Sequence, residues 1–211
     1  MTSADTAFPL AILAKAPIPG QAKTRLIPQL GAEGAAALHR RLVWQTLETA
    51  VVATKPEAIT LWTSLARPGS PAYAFFATCR ERFGIRLREQ PAGDLGRRMH
   101  TALATMPVPG MVIGCDCPML TPDLLKRCHA ALQSADCVFL PAEDGGYALV
   151  GVRRAEPFLF DDIDWGSGRV MRQSQERIEA LGWRSAYPAV VWDIDRPEDL
   201  ARWQAWQQVP T

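Results

Sequence analysis

Short apolar runs of strand length alternate with amphipathic helical segments along most of this chain. Phe8 to Ala14 is a continuous apolar run, and Gly31 to Thr54 then places apolar residues at steps of three and four, as one face of a helix requires. Further strand-like runs lie at 58–63, 85–88 and 111–115, and further helical segments at 70–83, at 95–106 and from Thr121 onward. This alternation predicts a mostly parallel sheet between two layers of helices, a three-layer α/β/α fold.

The rhythm changes after residue 136. Two strand-like runs, Cys137 to Leu140 and Tyr147 to Val152, flank a turn sequence, which predicts a hairpin-like excursion. The remaining expected elements are a helix over Gly168 to Leu181, a last strand over Tyr187 to Trp192 and a closing helix over Arg196 to Gln207. Because no repeat or linker interrupts the 211 residues, we expect a single domain over 1–211.

Charge and cysteine content restrict the partners and the compartment. The 23 basic and 22 acidic side chains leave a net charge of +1, so no global field attracts nucleic acid or an anionic membrane. No apolar run approaches the roughly 18 to 20 residues that span a bilayer, and Met1 to Thr6 have no basic n-region, so we expect neither a membrane segment nor a secretory signal. The five cysteines contain no C-x-x-C pair, which favours a reduced, cytoplasmic protein. The oligomeric state stays open.

Three cations follow the first predicted strand, on the proline-containing loop 15–25. Lys15, Lys23 and Arg25 lie within eleven residues and share this loop with Gly20. The loop matches neither G-x-G-x-x-G nor the P-loop pattern. Arginine and lysine prefer oxyanions to neutral ligands, so we expect these four residues to bind the phosphates of a nucleotide. A solvated surface loop is the alternative.

Asp116 follows the buried strand-like run that ends near Cys115. A carboxylate in such a place is costly to bury unless it is paired or bound to a cation, and Mg²⁺ or Mn²⁺ is the natural partner. Helix capping is the alternative, but Asp116 lies five residues before the expected cap at Thr121. Ligands of open α/β sheets bind outside the carboxyl ends of strands, so we expect the cationic loop and Asp116 to face one crevice.

Further acidic residues extend the candidate site. Asp193 and Asp195 alternate with Ile194, so both carboxylates lie on one face and suit metal ligation, although Asp195 could instead cap the closing helix. Asp144 is placed to reach a metal, an acceptor or a sugar hydroxyl, with a simple turn as the alternative. The expected pocket residues of this turn are Glu143, Asp144, Gly145, Gly146 and Tyr147. Gly93 and Gly96 bracket a helix N-terminus whose free N–H groups are expected to meet the nucleotide.

These motifs together resemble a known family. They are AKAP at 14–17, KTRL at 23–26, GDLGRRM at 93–99, GCDCP at 114–118, EDGGY at 143–147 and DIDRPEDL at 193–200. In this order they resemble a bacterial family of proposed glycosyltransferases, first described only as a domain of unknown function and often associated with radical-SAM gene neighbourhoods. The resemblance implies the A-type glycosyltransferase fold of the nucleotide-diphospho-sugar transferases, and it extends to phospholactate and molybdenum-cofactor guanylyltransferases.

The resemblance also implies roles for individual residues. Lys15, Lys23 and Arg25 match the phosphate-binding signature loop, Asp116 matches the metal aspartate, and Asp193 or Asp195 matches the second metal ligand. The loop has prolines where better-known nucleotidyltransferases have glycines. The turn at Asp116 has one aspartate where many glycosyltransferases have Asp-x-Asp, so the second acidic ligand must come from elsewhere.

The sequence therefore predicts a transferase that depends on Mg²⁺ or Mn²⁺ and acts on an activated nucleotide and a small-molecule acceptor. Lys23, Arg25 and Asp116 are the expected catalytic residues. Nucleotidyl transfer from an NTP is favoured because a triphosphate tail gives the cationic loop something to hold. Glycosyl transfer from an NDP-sugar to an acceptor hydroxyl is the alternative, and a non-catalytic nucleotide-binding protein is a third possibility.

Overall fold

The computed structural model describes residues 7–64 and 68–207, so Met1 to Thr6, where a secretory signal was considered, lie outside it. Its centre is a seven-stranded sheet with the order β3-β2-β1-β4-β6-β5-β7. The strands are β1 Leu10–Ala14, β2 Ile59–Thr63, β3 Arg86–Glu89, β4 Gly110–Ile113, β5 Cys137–Pro141, β6 Tyr147–Val152 and β7 Ser185–Ala186. Strand β6 runs antiparallel to its neighbours β4 and β5, and the other pairs are parallel.

Helices cover both faces of the sheet. They are α1 Ile27–Ala53, α2 Pro71–Phe83, α3 Leu95–Ala104, α4 Pro122–Ala131, α5 Val170–Ala180 and α6 Pro197–Gln207. Side chains alternate along β1, so that Leu10 and Ile12 pack with α1, α2 and α4, whereas Ala11 packs with α3 and α5. The predicted three-layer fold with a mostly parallel sheet is confirmed.

Two helix starts follow signals that are visible in the sequence. The Asp94 carboxylate accepts a hydrogen bond from the Arg97 N–H at 2.8 Å at the start of α3. The Thr121 hydroxyl accepts from the Leu124 N–H at 3.2 Å at the start of α4. Each side chain satisfies a backbone donor that the first helical turn leaves without a partner.

The predicted strand over Tyr187 to Trp192 is wrong. The regular strand is the shorter β7, and residues 187–192 contribute one isolated parallel bridge, between Ala142 and Val191. Pro188 has no N–H to donate to the ladder, which interrupts strand pairing just beyond β7. This segment still fixes the position of the acidic residues that follow it, because the Val191 N–H donates to the Pro141 carbonyl at 2.9 Å.

The described residues can be compared with the expectations about a membrane segment and about the cysteines. None of their helices combines the length and apolar character that a bilayer crossing requires. All five cysteines are free and buried, and burial raises the pKa of every thiol above its usual range. They pack as small apolar residues, and nucleophilic thiol chemistry is disfavoured.

Candidate active site

A cavity of about 550 Å³ opens at the carboxyl ends of β1 and β4. Its walls come from the loop after β1, the turn after β4, the β5–β6 turn, the loop before α5 and the segment before α6. The predicted site residues that line it are Lys15, Lys23, Arg25, Asp116, Asp144, Gly146, Tyr147, Asp193 and Asp195. The cationic loop and the acidic residues therefore contribute to one site.

Lys23 joins the two predicted halves of this site. Its ammonium lies 2.8 Å from Asp116 Oδ1 and also donates to the Ile194 carbonyl, and its side chain is only 4% exposed. Its backbone has φ 48°, in the left-handed region that non-glycine residues rarely adopt. The backbone bend turns the side chain inward, so Lys23 contacts Asp116 directly and does not face it across an open crevice.

Asp116 stands three residues beyond the end of β4, and its carbonyl accepts a hydrogen bond from the Ile194 N–H at 2.9 Å. Its side chain is 46% exposed to the cavity. Burial alone would raise the pKa of the Asp116 carboxyl, but the neighbouring Lys23 and His39 outweigh that effect and hold the pKa below its usual range. Asp116 is thus a carboxylate at neutral pH.

Asp193 experiences a different environment. Burial, followed by the negative charges of Asp144 and Asp116, raises its pKa to about 6, against an opposing effect of Lys23. The Asp193 carboxylate is therefore repelled by neighbouring carboxylates in the cavity. Such repulsion is relieved by a cation.

Arg25 and Asp195 form an ion pair at the edge of the cavity, with side chains 59% and 33% exposed. Exposed pairs of this kind contribute little to stability. The helix-capping alternative for Asp195 is not seen in the described residues. Asp199, in the first turn of α6, instead accepts hydrogen bonds from the N–H groups of Asp195 and Arg196 at 2.9 and 2.7 Å.

The β5–β6 turn divides its predicted pocket residues between cavity and surface. Asp144 Oδ1 accepts from the Gly146 N–H at 2.8 Å, which closes the turn beside the cavity. Gly145 packs against another backbone, because a Cβ there would lie 2.2 Å from the Gly168 carbonyl oxygen. Glu143 points to the surface and binds Arg202 through two hydrogen bonds of 2.7 and 2.9 Å. Neither Gly145 nor Glu143 lines the cavity.

The three glycines predicted to bind nucleotide also lie outside the cavity lining. Gly20 and Gly93 have φ of 79° and 117° and serve as turn residues. Gly96 has a packing role, since a Cβ there would lie 2.6 Å from Trp165 Cζ2. Gly96 thus lets the indole of Trp165 lie against α3 and form part of the cavity wall.

The lining residues that were not predicted include His39, Gln90, Arg98 and Trp165. His39 Nε2 donates to the Lys15 carbonyl at 3.0 Å, and its Nδ1 lies 3.9 Å from Asp116 Oδ1. Burial lowers the pKa of His39 despite the nearby carboxylate. The sequence places His39 on the inner face of α1 but holds no signal for its contact with the loop.

The carboxylates of the cavity are candidate ligands for a divalent metal ion. Within 7–64 and 68–207, no three His, Cys, Asp or Glu side chains are grouped closely enough to hold an ion by themselves. Mg²⁺ is usually bound by only one or two carboxylates, with water and substrate phosphates completing its shell. Asp116 and Asp193, which line one cavity, fit that smaller requirement.

Comparison with protein families gives one match. The family model described as "uncharacterized protein conserved in bacteria" (DUF2064) matches residues 46–167. This span contains Asp116, Asp144 and Trp165, whereas the cationic loop and the segment before α6 lie outside it. A comparison with curated proteins finds no match.

Solved structures share the fold over nearly the whole chain. A proposed nucleotide-diphospho-sugar transferase from Desulfovibrio desulfuricans G20 is 24% identical with a TM-score of 0.83, over 96% of this chain and 88% of its own. A 4-diphosphocytidyl-2C-methyl-D-erythritol synthase from Anaerococcus prevotii is 10% identical with a TM-score of 0.60, over 96% and 97%. Rv0371c of Mycobacterium tuberculosis, solved in complex with manganese, is 15% identical with a TM-score of 0.53, over 97% and 100%.

Proposed function

Since the chain belongs to the DUF2064 family of bacterial proteins and has the fold of nucleotide-diphospho-sugar transferases, we propose that it is a metal-dependent transferase acting on an activated nucleotide. The family membership confirms the resemblance of the motifs to a bacterial family first described as a domain of unknown function. The observation that carries the proposal is the contact of Lys23 with Asp116 at 2.8 Å, inside a cavity at the carboxyl ends of the strands. It brings cations suited to phosphate and carboxylates suited to a metal into one site.

Asp116 and Asp193 are the proposed ligands of Mg²⁺ or Mn²⁺. The Asp195 carboxylate is already paired with Arg25, whereas burial, followed by neighbouring carboxylates, raises the pKa of Asp193. A bound divalent ion would act as a Lewis acid on a phosphoryl oxygen. Asp193 is therefore the better candidate than Asp195 for the second ligand.

Three cations are available for phosphates. Within the described residues, no carboxylate lies within 4.0 Å of Lys15. Lys23 uses two of its three N–H donors on Asp116 and Ile194, which leaves one for a phosphate oxygen. Arg25 can exchange its exposed pairing with Asp195 for a phosphate at little cost.

We favour nucleotidyl transfer from an NTP because three cations are available for its phosphates. A triphosphate carries more negative charge than the diphosphate of an NDP-sugar, so it can occupy Lys15, Lys23 and Arg25 together. An acceptor phosphate would attack the α-phosphorus, and pyrophosphate would leave with its charge neutralised by these side chains.

The test uses the full chain with Mg²⁺ or Mn²⁺, each common NTP and NDP-sugar, and a panel of phosphorylated and hydroxylated acceptors. We expect acceptor-dependent release of pyrophosphate, lost in Asp116→Ala and retained in Asp123→Ala, which changes an exposed aspartate of α4. Release of NDP from a sugar nucleotide, with no pyrophosphate from any NTP, would establish glycosyl transfer instead. Nucleotide binding with no product from any donor would indicate a non-catalytic binding protein.

The choice of metal ligand can be tested separately by Mn²⁺ titration in the presence of nucleotide. Asp193→Asn should weaken Mn²⁺ binding about tenfold or more, as loss of a charged group from a metal site does. Asp195→Asn should weaken it much less. The opposite order would move the second ligand to Asp195.

A further inference from the structure

Arg98 is a cavity residue whose charge no carboxylate of the described chain neutralises. It is the fourth residue of α3 and lines the cavity. The other guanidinium of the cavity wall, that of Arg25, is paired with Asp195. Within residues 7–64 and 68–207, no carboxylate oxygen comes within 4.0 Å of Arg98.

Gln90 holds this guanidinium in place. The two hydrogens of Gln90 Nε2 are donated to the Ala14 carbonyl at 3.1 Å and the Trp62 carbonyl at 2.9 Å, at the ends of β1 and β2. Both acceptors are carbonyls, so the amide has only one orientation, and its Oε1 accepts from Arg98 Nη1 at 3.3 Å. Arg98 is thereby tied to the sheet.

Most of the donors of Arg98 remain unused. A guanidinium has five N–H groups, and one of them, at Nε, is buried without a hydrogen-bond partner. Leaving a buried donor of a charged group unsatisfied is costly. Nε is closed off from the cavity, but Gln90 is the only hydrogen-bond partner of the terminal Nη1 and Nη2 groups within the described residues. A guanidinium fork prefers an oxyanion, which can accept two of its N–H groups at once.

We propose that Arg98, positioned by Gln90, binds an oxyanion that a substrate brings into the cavity, either a phosphate of the nucleotide or an acidic group of the acceptor. This rests on the proposed use of the cavity by an anionic substrate. Trp165 and the exposed side chain of Leu95 line the same cavity and offer apolar surface beside the charge. The subsite therefore suits an anionic group attached to an apolar body.

The experiment measures binding without turnover, so that its failure differs from failure of the proposed reaction. Thermal-shift titrations in EDTA compare pyrophosphate, which represents nucleotide phosphates, with succinate, which represents an acidic acceptor. Both ligands are titrated against the wild-type protein, Arg98→Gln and Arg98→Lys. Arg97→Gln is the matched control, because Arg97 is the exposed neighbour on the same turn and does not line the cavity.

We expect Arg98→Gln to weaken binding of one anion about tenfold or more, Arg98→Lys to weaken it less, and Arg97→Gln to change it less than about twofold. Loss confined to pyrophosphate assigns the oxyanion to the nucleotide, and loss confined to succinate assigns it to the acceptor. Affinities in Arg98→Gln that match those of Arg97→Gln for both anions would overturn the inference, as would a wild-type protein that binds neither anion.

Discussion

Replacing Lys23 by alanine should destabilise the protein, because Lys23 is the cation beside Asp116. Removing one partner of a fully buried ion pair costs about 3–5 kcal/mol, whereas an exposed pair contributes about 0–1 kcal/mol. The Lys23 side chain is 4% exposed but that of Asp116 is 46% exposed, so the remaining carboxylate regains part of its hydration. We therefore expect Lys23→Ala to lower the free energy of unfolding by about 2 kcal/mol, between these limits.

The left-handed backbone at Lys23 predicts a difference in stability between two substitutions that both remove the ammonium. Lys23 has φ 48°, and the left-handed region costs a non-glycine residue about 1–2 kcal/mol. Glycine carries no such penalty, although it gains freedom in the unfolded chain. Lys23→Gly should consequently be more stable than Lys23→Ala by about 1 kcal/mol or less, even though both lose the ammonium.

Urea unfolding at neutral pH measures both differences, provided that the m-values agree. Lys126→Ala, at an exposed position of α4, is the control and should stay within about 0.5 kcal/mol of wild type. If Lys23→Ala is as stable as Lys126→Ala, the contact with Asp116 does not contribute to stability. If Lys23→Gly is no better than Lys23→Ala, the left-handed backbone is not under strain.

Two further predictions concern packing and pH. Gly96→Ala should cost about 1–3 kcal/mol of overpacking against the Trp165 indole, more than its gain in helix propensity. Gly34→Ala, where the one near atom would be Leu30 Cβ at 3.2 Å, should cost less in the same urea assay. His129 stacks on Phe8 with ring centroids 4.7 Å apart, and burial lowers its pKa. As the pH falls, the imidazole is therefore protonated in the unfolded state before it is protonated in the folded state. The residue contributes stability above its unfolded-state pKa of about 6.5, and this contribution is lost as the pH falls below that pKa. His129→Phe keeps the stacking, so its stability should fall less than that of wild type between neutral pH and about pH 5, and parallel pH curves would contradict this reasoning.

Most of the fold could be predicted because its signals are local. Apolar runs of strand length and helical periodicity mark β1 and α1, and Thr121 marks the start of α4 through its own side chain. The prediction of a strand over 187–192 was wrong because it too relied on local signals. The apolar residues of this segment resemble a strand, but strand pairing depends on a partner and on backbone donors that Pro188 interrupts.

The candidate site was only partly predictable, since charge chemistry can be read from residue types but pairing cannot. Lys15, Lys23 and Asp116 stand out in the sequence as a cationic loop and an isolated carboxylate. Their distance in space depends on the left-handed turn at Lys23, for which a lysine gives no signal. Arg98 belongs to the GDLGRRM motif but was not predicted to line the site. Gln90 was not predicted either, because a glutamine that joins the ends of two strands looks like any polar loop residue.

Ile194 links the charged residues of the site to the buried core. Its side chain is fully buried with those of Leu26 and Trp203, while its backbone N–H donates to Asp116 and its carbonyl accepts from Lys23. The packing of this one side chain therefore holds the segment that supports both charged residues. Ile194→Ala should lower the free energy of unfolding by about 2–5 kcal/mol.

Hydrogen exchange can separate a local role of Ile194 from a global one. Ile59→Ala, at an equally buried position of β2, is the matched control and should lower protection mainly in the sheet. In Ile194→Ala, the amide of residue 194 should lose more protection than the amides of β1, because the segment detaches before the sheet unfolds. Equal losses at both places would mean that the segment opens only with the whole fold, and the charged pair would then owe its geometry to global stability and not to this contact.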